Sequence, residues 1–156
     1  MLTQDRLMEV LDYDPETGIF TWQIQPGSRS DMVGKRAGYY GPGRYRSITV
    51  DGVGYLEHRL AWLFVHGRFP PDQMDHINRN RSDNRLENLR EATRSQNQRN
   101  RLAYSGLKGC WWHSRDRRWI ARCGTTNLGS FHTEKEAYEA YCEAAKVKYG
   151  EFFNAG

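Results

Sequence analysis

The sequence predicts an α+β protein made of two small domains, and three observations carry the prediction. The 156 residues suffice for one domain of ordinary size or two with thin cores. Short β-branched and aromatic runs cluster around hairpin-type turns, while longer segments show apolar residues at helical spacing. Charge is also divided unevenly along the chain, with acidic ends flanking a basic centre.

The elements follow in order. Residues 3–12 place Leu7, Met8 and Leu11 at helical spacing, and the YDPETG that follows stops the helix. GIFTW, RYRSITV and VGYLEH, the last two around an Asp51-Gly52 turn, form a small antiparallel sheet. HRLAWLFVHG (58–67) carries Leu60, Ala61, Leu63, Phe64 and Val65 on a buried helix that closes at Gly67, ahead of Pro70 and Pro71. MDHI and LREAT (89–93) are two short strands joined by a long polar loop. Ser95 then acts as N-cap with Gln98 completing a capping box, which puts Asn97 in the first turn of a helix. AYSG (103–106) is the junction, giving domains 1–102 and 103–156. Beyond it CWWHS, RWIARCG and LGSF are three strands turning at DRR and GTTN. A Thr133–Glu136 capping box opens a helix with Ala137, Tyr141, Ala144, Ala145 and Lys148 on one stripe, ending at Gly150.

Composition excludes several classes of function. Apolar residues at 38% and aromatics at 13% are too many for a disordered chain. No apolar run approaches the roughly 18 residues that span a bilayer. The first residues lack a basic segment followed by a continuous apolar one, so a cytoplasmic protein is expected, with no membrane partner. Cys110, Cys123 and Cys142 are odd in number and form no C-x-x-C, which argues against a disulfide framework or zinc knuckle and predicts buried thiols. Residues 76–101 hold 7 basic and 3 acidic side chains and residues 102–126 hold 5 and 1. Arginines interleaved with Asn, Gln, Ser and Trp favour a polyanion partner over a merely solvated face.

The stretch from Met74 to Asn100 concentrates the chemistry. Asp75 and His76 are strand neighbours, so their side chains point to opposite faces. A helix packed across the hairpin brings Asn97 near Asp75, and the two oxygens are hard ligands suited to Mg²⁺ or Mn²⁺ rather than zinc. His76, with an ordinary pKa of about 6.5, then serves as a base toward water. Taken alone, the pair also fits a histidine that caps a turn and a surface asparagine.

HRLAW, a Pro-Pro break and MDHINRNRSDNRLENLREATRSQNQRN together resemble the HNH endonucleases, in particular the small phage and intron-borne homing enzymes. The resemblance implies a ββα-metal (His-Me finger) catalytic unit at about 73–102, on an N-terminal scaffold of small antiparallel sheet and helix. It makes Asp75 and Asn97 ligands of one Mg²⁺ or Mn²⁺ per chain and His76 the general base. Asn88 ties the loop to the base and orients the imidazole. Zinc-ribbon cysteines of another branch are absent. Residues 104–154 resemble the plant Apetala-type (ethylene-response-factor) DNA-binding domain in YSGLKGCWW, RRWIARC, LGSF and TEKEAYEAYCEAA. That likeness implies a three-stranded sheet that reads the major groove, with contacts from Lys108, Arg115, Arg117, Trp119 and Arg122. Arg79, Arg81, Arg85 and Arg99 are the cationic contacts expected from the finger. His58, His66, His113 and His132 are expected to be structural.

The implied activity is metal-dependent hydrolysis of phosphodiester bonds in double-stranded DNA. One finger per chain cuts one strand, so nicking by a monomer or weak dimer is expected, in the host cytoplasm if the chain is phage-encoded. Two rivals belong to other classes: a DNA-binding regulator with a decayed nuclease half, and an RNA-directed nuclease or RNA-binding module.

Overall fold

The chain begins with α1 (Gln4–Val10), capped by Thr3, whose hydroxyl accepts the Arg6 N–H at 3.3 Å. The helix stops short of the predicted residue 12. Leu11–Asp14 is instead β1, paired antiparallel with β2 (Ile19–Trp22). Leu11 satisfies both patterns, but Leu11 and Tyr13 are buried while Asp12 and Asp14 are exposed, which is a strand's alternation. The Asp14 carboxylate accepts from the N–H groups of Glu16 and Thr17, and this fixes the turn into β2. In the computed structural model, residues 1–27, 31–41, 43, 45–100 and 107–154 are described. They divide into two compact units, Met1–Arg94 and Ser95–Gly156. The expected AYSG junction and the 102/103 boundary lie outside the described residues.

The first unit continues with β3 (Tyr39–Tyr40), β4 (Arg46–Val50) and β5 (Val53–Leu56), an antiparallel sheet in that order. Next comes α2 (Glu57–His66), closed at Gly67 as its sequence predicts. The hairpin of β6 (Gln73–His76) and β7 (Leu89–Ala92) pairs Asp75 with Arg90 and His76 with Leu89. Leu7, Leu11, Phe20, Ile48, Leu60 and Leu63 form the core, and Met74 and Leu89 extend it beneath the hairpin. Burying this set against water supplies the unit's main stabilisation, at about 1.5–3 kcal/mol for each fully buried large side chain.

The second unit takes up α3 (Arg94–Asn100). The helix starts at Arg94, so Ser95 lies inside its first turn and is not the N-cap its side chain predicts. Strands β8 (Cys110–His113), β9 (Arg118–Cys123) and β10 (Thr126–Phe131) follow as a meander with β9 central. Helix α4 (Glu134–Tyr149) opens on the predicted Thr133–Glu136 capping box, with both reciprocal bonds present. Cys123, Tyr141 and Ala145 form the centre of its core. Gly109 adopts φ +69°, and a Cβ there would meet the Tyr141 ring at 2.1 Å, so glycine is required twice over. All three thiols are free; Cys123 is buried and the other two are half-buried. Asn154 Nδ2 donates to Asn100 Oδ1, and Lys108 Nζ donates to the carbonyls of Arg99 and Asn154, tying α3 to the sheet-and-helix body. No helix among the described residues is long and apolar enough to cross a membrane.

Candidate active site

Asp75 and His76 end β6 and are both buried, at 4% and 5% exposure. Alternation sends them to opposite faces of the hairpin. Asp75 meets its cross-strand neighbour: Arg90 Nε and Nη2 donate to Asp75 Oδ2 at 3.0 and 2.7 Å. His76 shares its face with Met74 and turns into the first unit, where the edge of its ring meets His58 with centroids 5.1 Å apart. Tyr45 approaches both imidazoles, at 5.3 Å from His58 and 6.1 Å from His76. Burial pushes the His76 pKa down despite its hydrogen bond to Asn84 and the nearby Asp75. The ring is therefore neutral near pH 7, the form a base requires. Burial drives His58 further, to about 3.

The loop between the strands is ordered by its own carboxamides. Asn88 Oδ1 accepts from Asn78 N–H at 2.9 Å, and Asn88 Nδ2 donates to the Asp83 carbonyl at 2.7 Å. Asn78 N–H and Asp83 O sit five residues apart, so one buried side chain closes the loop. Asn78 also donates to Asp83, whose pKa is held at about 2, first by its bonds from Arg85. Asn88 thus spans the loop backbone, while the imidazole's own partner is Asn84, with Nε2 3.0 Å from Asn84 Oδ1. Asn84 is almost wholly buried, at 1% exposure, and donates Nδ2 to Glu57 Oε2 at 2.9 Å. Glu57 in turn accepts from Arg46 Nε at 2.9 and 3.1 Å. Neither Asn84 nor Glu57 was singled out by the sequence. The one available signal was Asn84 lying eight residues after His76 in a run of identical-looking asparagines.

Asn84 is also braced from the N-terminal hairpin. Tyr13 Oη donates to its carbonyl at 2.7 Å, and Leu86 N–H donates to the Pro15 carbonyl at 3.1 Å. Gly18, at φ +71°, lies so close that a Cβ would stand 2.4 Å from Arg85 N.

Asn97 lies half-buried in α3, in the second unit. Among the described residues no group of three or more His, Cys, Asp and Glu side chains could hold a metal. The expected ligands, one carboxylate and one carboxamide, would not form such a group. Their donor chemistry fits a hard divalent cation whose shell is completed by water and phosphate oxygens. At Asp75 the Arg90 guanidinium pairs with Oδ2.

The expected nucleic-acid contacts fall in several settings. Arg79 is exposed and adopts φ +65°. Arg81 is exposed, donates to the Gly43 carbonyl and stacks over Tyr45 at 4.9 Å. Arg85 is forked between Asp83 and Glu87. Arg99 lies over the Tyr149 ring at 4.6 Å. Arg115 and Arg117 are exposed in the β8–β9 turn, and Arg122 is exposed on β9. Lys108 is committed to backbone carbonyls. By strand alternation Trp119 shares the face of Ala121 and Cys123, which carries the helix-packed core, whereas Arg122 lies on the opposite face with Arg118 and Ile120. The exposed Trp111, cross-strand from Ile120, joins that open face and was not among the expected contacts.

Against this geometry, comparison with known proteins is specific. Residues 55–99, from β5 through the hairpin and most of α3, match the model of a family described as HNH endonuclease. Over 125 residues the chain is 30% identical to an uncharacterized HNH endonuclease of Acanthamoeba polyphaga mimivirus, covering 78% of this chain and 67% of that relative. No solved structure matches the chain. A buried Asp-His pair ending a short strand, a carboxamide-closed loop and a family match centred on both place this chain in the HNH endonuclease family, as a nuclease.

Proposed function

We propose that the protein is a metal-dependent endonuclease that nicks double-stranded DNA, with His76 as general base, Asn88 closing the catalytic loop, and Asp75 and Asn97 as ligands of one Mg²⁺ or Mn²⁺. The observation that carries this reading is the buried, neutral imidazole whose Nε2 is held by a hydrogen bond to Asn84. A neutral imidazole with a fixed ring takes a proton from water without first losing one. The metal, when bound, stabilises charge on the scissile phosphate and the leaving oxygen. Arg90 neutralises part of the Asp75 charge and sets the carboxylate's rotation.

Domains 1–102 and 103–156 divide cutting from reading in this proposal, the first including the ββα-metal finger at about 73–102. The C-terminal sheet acts as an Apetala-type reader of duplex DNA. Its open face, carrying Trp111, Arg118 and Arg122 with Arg115 and Arg117 at the turn, has the cations and aromatics that groove and phosphate contacts use. Trp119 and Lys108 support that face from behind. Arg79, Arg81 and Arg99 supply phosphate contacts near the finger, and Arg85 joins them by giving up part of its pairing with Asp83 and Glu87. The viral relative is in keeping with a phage or homing context, in a host cytoplasm. Incubating supercoiled plasmid with the protein and Mg²⁺ tests the reading: open circles should appear before linear DNA. Cleavage confined to structured RNA, or binding with no cleavage, would select one of the two rival readings.

A further inference from the structure

Four residues form a buried line across the first unit: Arg46 from β4, Glu57 from the start of α2, Asn84 from the loop and His76 from β6. Arg46 and Glu57 are 7% and 1% exposed, so water does not complete their bonding. The order of donors is fixed by chemistry. Arg46 only donates, and Glu57 receives its Nε–H on both oxygens, which holds the side chain as a carboxylate. A carboxylate only accepts, so Asn84 must turn its NH₂ toward Glu57 and its carbonyl oxygen toward His76. That oxygen also only accepts, so the ring nitrogen facing it, Nε2, must carry the proton. In a neutral imidazole the lone pair then belongs to Nδ1.

We propose that Glu57 is a positioning residue for catalysis: anchored by Arg46, it sets the Asn84 carboxamide and through it holds His76 in the tautomer with the proton on Nε2 and the accepting lone pair on Nδ1. Packing assists, because His58 and Tyr45 limit rotation of the ring. A reversed carboxamide would invert the tautomer and place the proton on the nitrogen that has to receive one. The consequence for cleavage rests on His76 being the base; the tautomer itself does not.

The test uses the full chain labelled with ¹⁵N and long-range ¹H–¹⁵N correlation of His76 near neutral pH, alongside plasmid nicking in Mg²⁺. Wild type should show the Nε2–H form. A dominant Nδ1–H form, or an even mixture, overturns the proposal without any variant. Glu57→Gln should lose that selectivity, because a carboxamide at 57 can present N–H to Asn84. Its kcat should fall about 10- to 100-fold, the usual cost of losing a partner one shell removed, with KM little changed. Exchanging the two groups, Glu57→Gln with Asn84→Asp, restores an acceptor opposite Nε2 and a donor at 57, and should return both the tautomer and most of kcat. A merely structural Glu57 predicts no such rescue, and its absence in a folded double variant counts against the proposal. If His76→Ala still nicks while wild type shows the Nε2–H form, the base assignment falls and the tautomer assignment stands.

Discussion

Arg46→Met removes one partner of a buried ion pair and leaves the other in place. Glu57 would keep its bond from Asn84 but lose both contacts to the guanidinium, and Ala37 would lose its bond from Arg46 Nη2 at 3.0 Å. Breaking a buried pair by removing one member costs about 3–5 kcal/mol, because the survivor is an uncompensated charge. The low end applies here, since Asn84 still donates and Glu57 can take up a proton. About 3 kcal/mol in a unit of this size lowers the melting temperature by roughly 12–24 °C, at 4–8 °C per kcal/mol. The folded state survives at 25 °C if total stability lies in the usual range of about 5–15 kcal/mol.

The pH dependence follows from Glu57. Desolvation already raises its pKa above the usual 4.5, against the opposing pull of Arg46. A carboxyl whose folded pKa is raised stabilises the fold below its unfolded pKa, and that contribution is lost as pH rises through the folded value. Removing Arg46 raises the folded pKa further, so the variant's deficit should be largest near pH 7 and shrink as pH falls toward 4.5. Replacing both partners, Arg46→Met with Glu57→Leu, should recover most of the melting temperature while leaving cleavage impaired, because the apolar pair packs but cannot orient Asn84. Scanning calorimetry at two pH values reads the melting temperatures, and plasmid nicking reads the cleavage. A single variant that melts within about 3 °C of wild type, or a deficit that grows on acidification, would refute the reasoning.

Four further outcomes are expected. His76→Ala should lower the nicking rate by roughly 10²–10⁴ with duplex affinity nearly unchanged, measured by single-turnover cleavage and filter binding; near wild-type cutting would mean another group is the base. Excess EDTA should stop cleavage, Mg²⁺ or Mn²⁺ should restore it and zinc should do so poorly, since oxygen donors select hard cations; full activity in chelator sinks the one-metal scheme. Gly18→Ala should depress kcat as well as stability, because φ +71° is strained for alanine and its Cβ would drive against Arg85 N at 2.4 Å, shifting the segment that holds Asn84; an unchanged rate would show that the loop is not braced from this turn. Arg122→Ala should weaken duplex binding and reduce the magnitude of the salt slope by about 0.9, the signature of one lost phosphate contact; an unaltered slope would remove Arg122 from the interface.

Much of the fold was legible because its signals are local. The order strand, loop, strand, helix stood in one contiguous segment, and the Thr133–Glu136 capping box needs only a three-residue spacing. The C-terminal meander was announced by its turns. Elements whose identity depends on distant pairing were not: β1 continues directly from α1, and Leu11 fits either period until β2 arrives to pair with it. Within the site, Asp75 and His76 stood out by type, whereas Glu57 did not. Glu57 falls in the VGYLEH run, one residue ahead of the helix predicted over 58–67, and nothing local marks it as buried. Its burial becomes apparent only when Arg46, eleven residues earlier, and Asn84, 27 residues later, are brought beside it. His58, a lone histidine in the sequence, is expected to be structural, and its ring lies against that of His76.

The placement of these supports explains why the first unit runs from Met1 through the hairpin. The loop from Ile77 to Asn88 has little apolar surface to bury, and Ile77 itself is 42% exposed. Its internal bonds, Asn78 to Asp83, Asn80 to Asn78, Ser82 to Asn80 and Asn88 across the middle, set a shape but do not fix that shape against the strands. Fixing requires contacts from outside the loop: Arg81 reaches the Gly43 carbonyl and Tyr45, and three consecutive residues gather further ones. Tyr13 and Glu57 hold Asn84, the turn at Gly18 packs on Arg85, and Pro15 accepts from Leu86. Each comes from an element whose other side is in the apolar core. Hydrophobic burial in the N-terminal scaffold is thereby converted into positional order at a polar loop, and a hairpin and helix cut free of residues 1–57 would retain their Asp, His and Asn side chains but lose what orients the His76 imidazole.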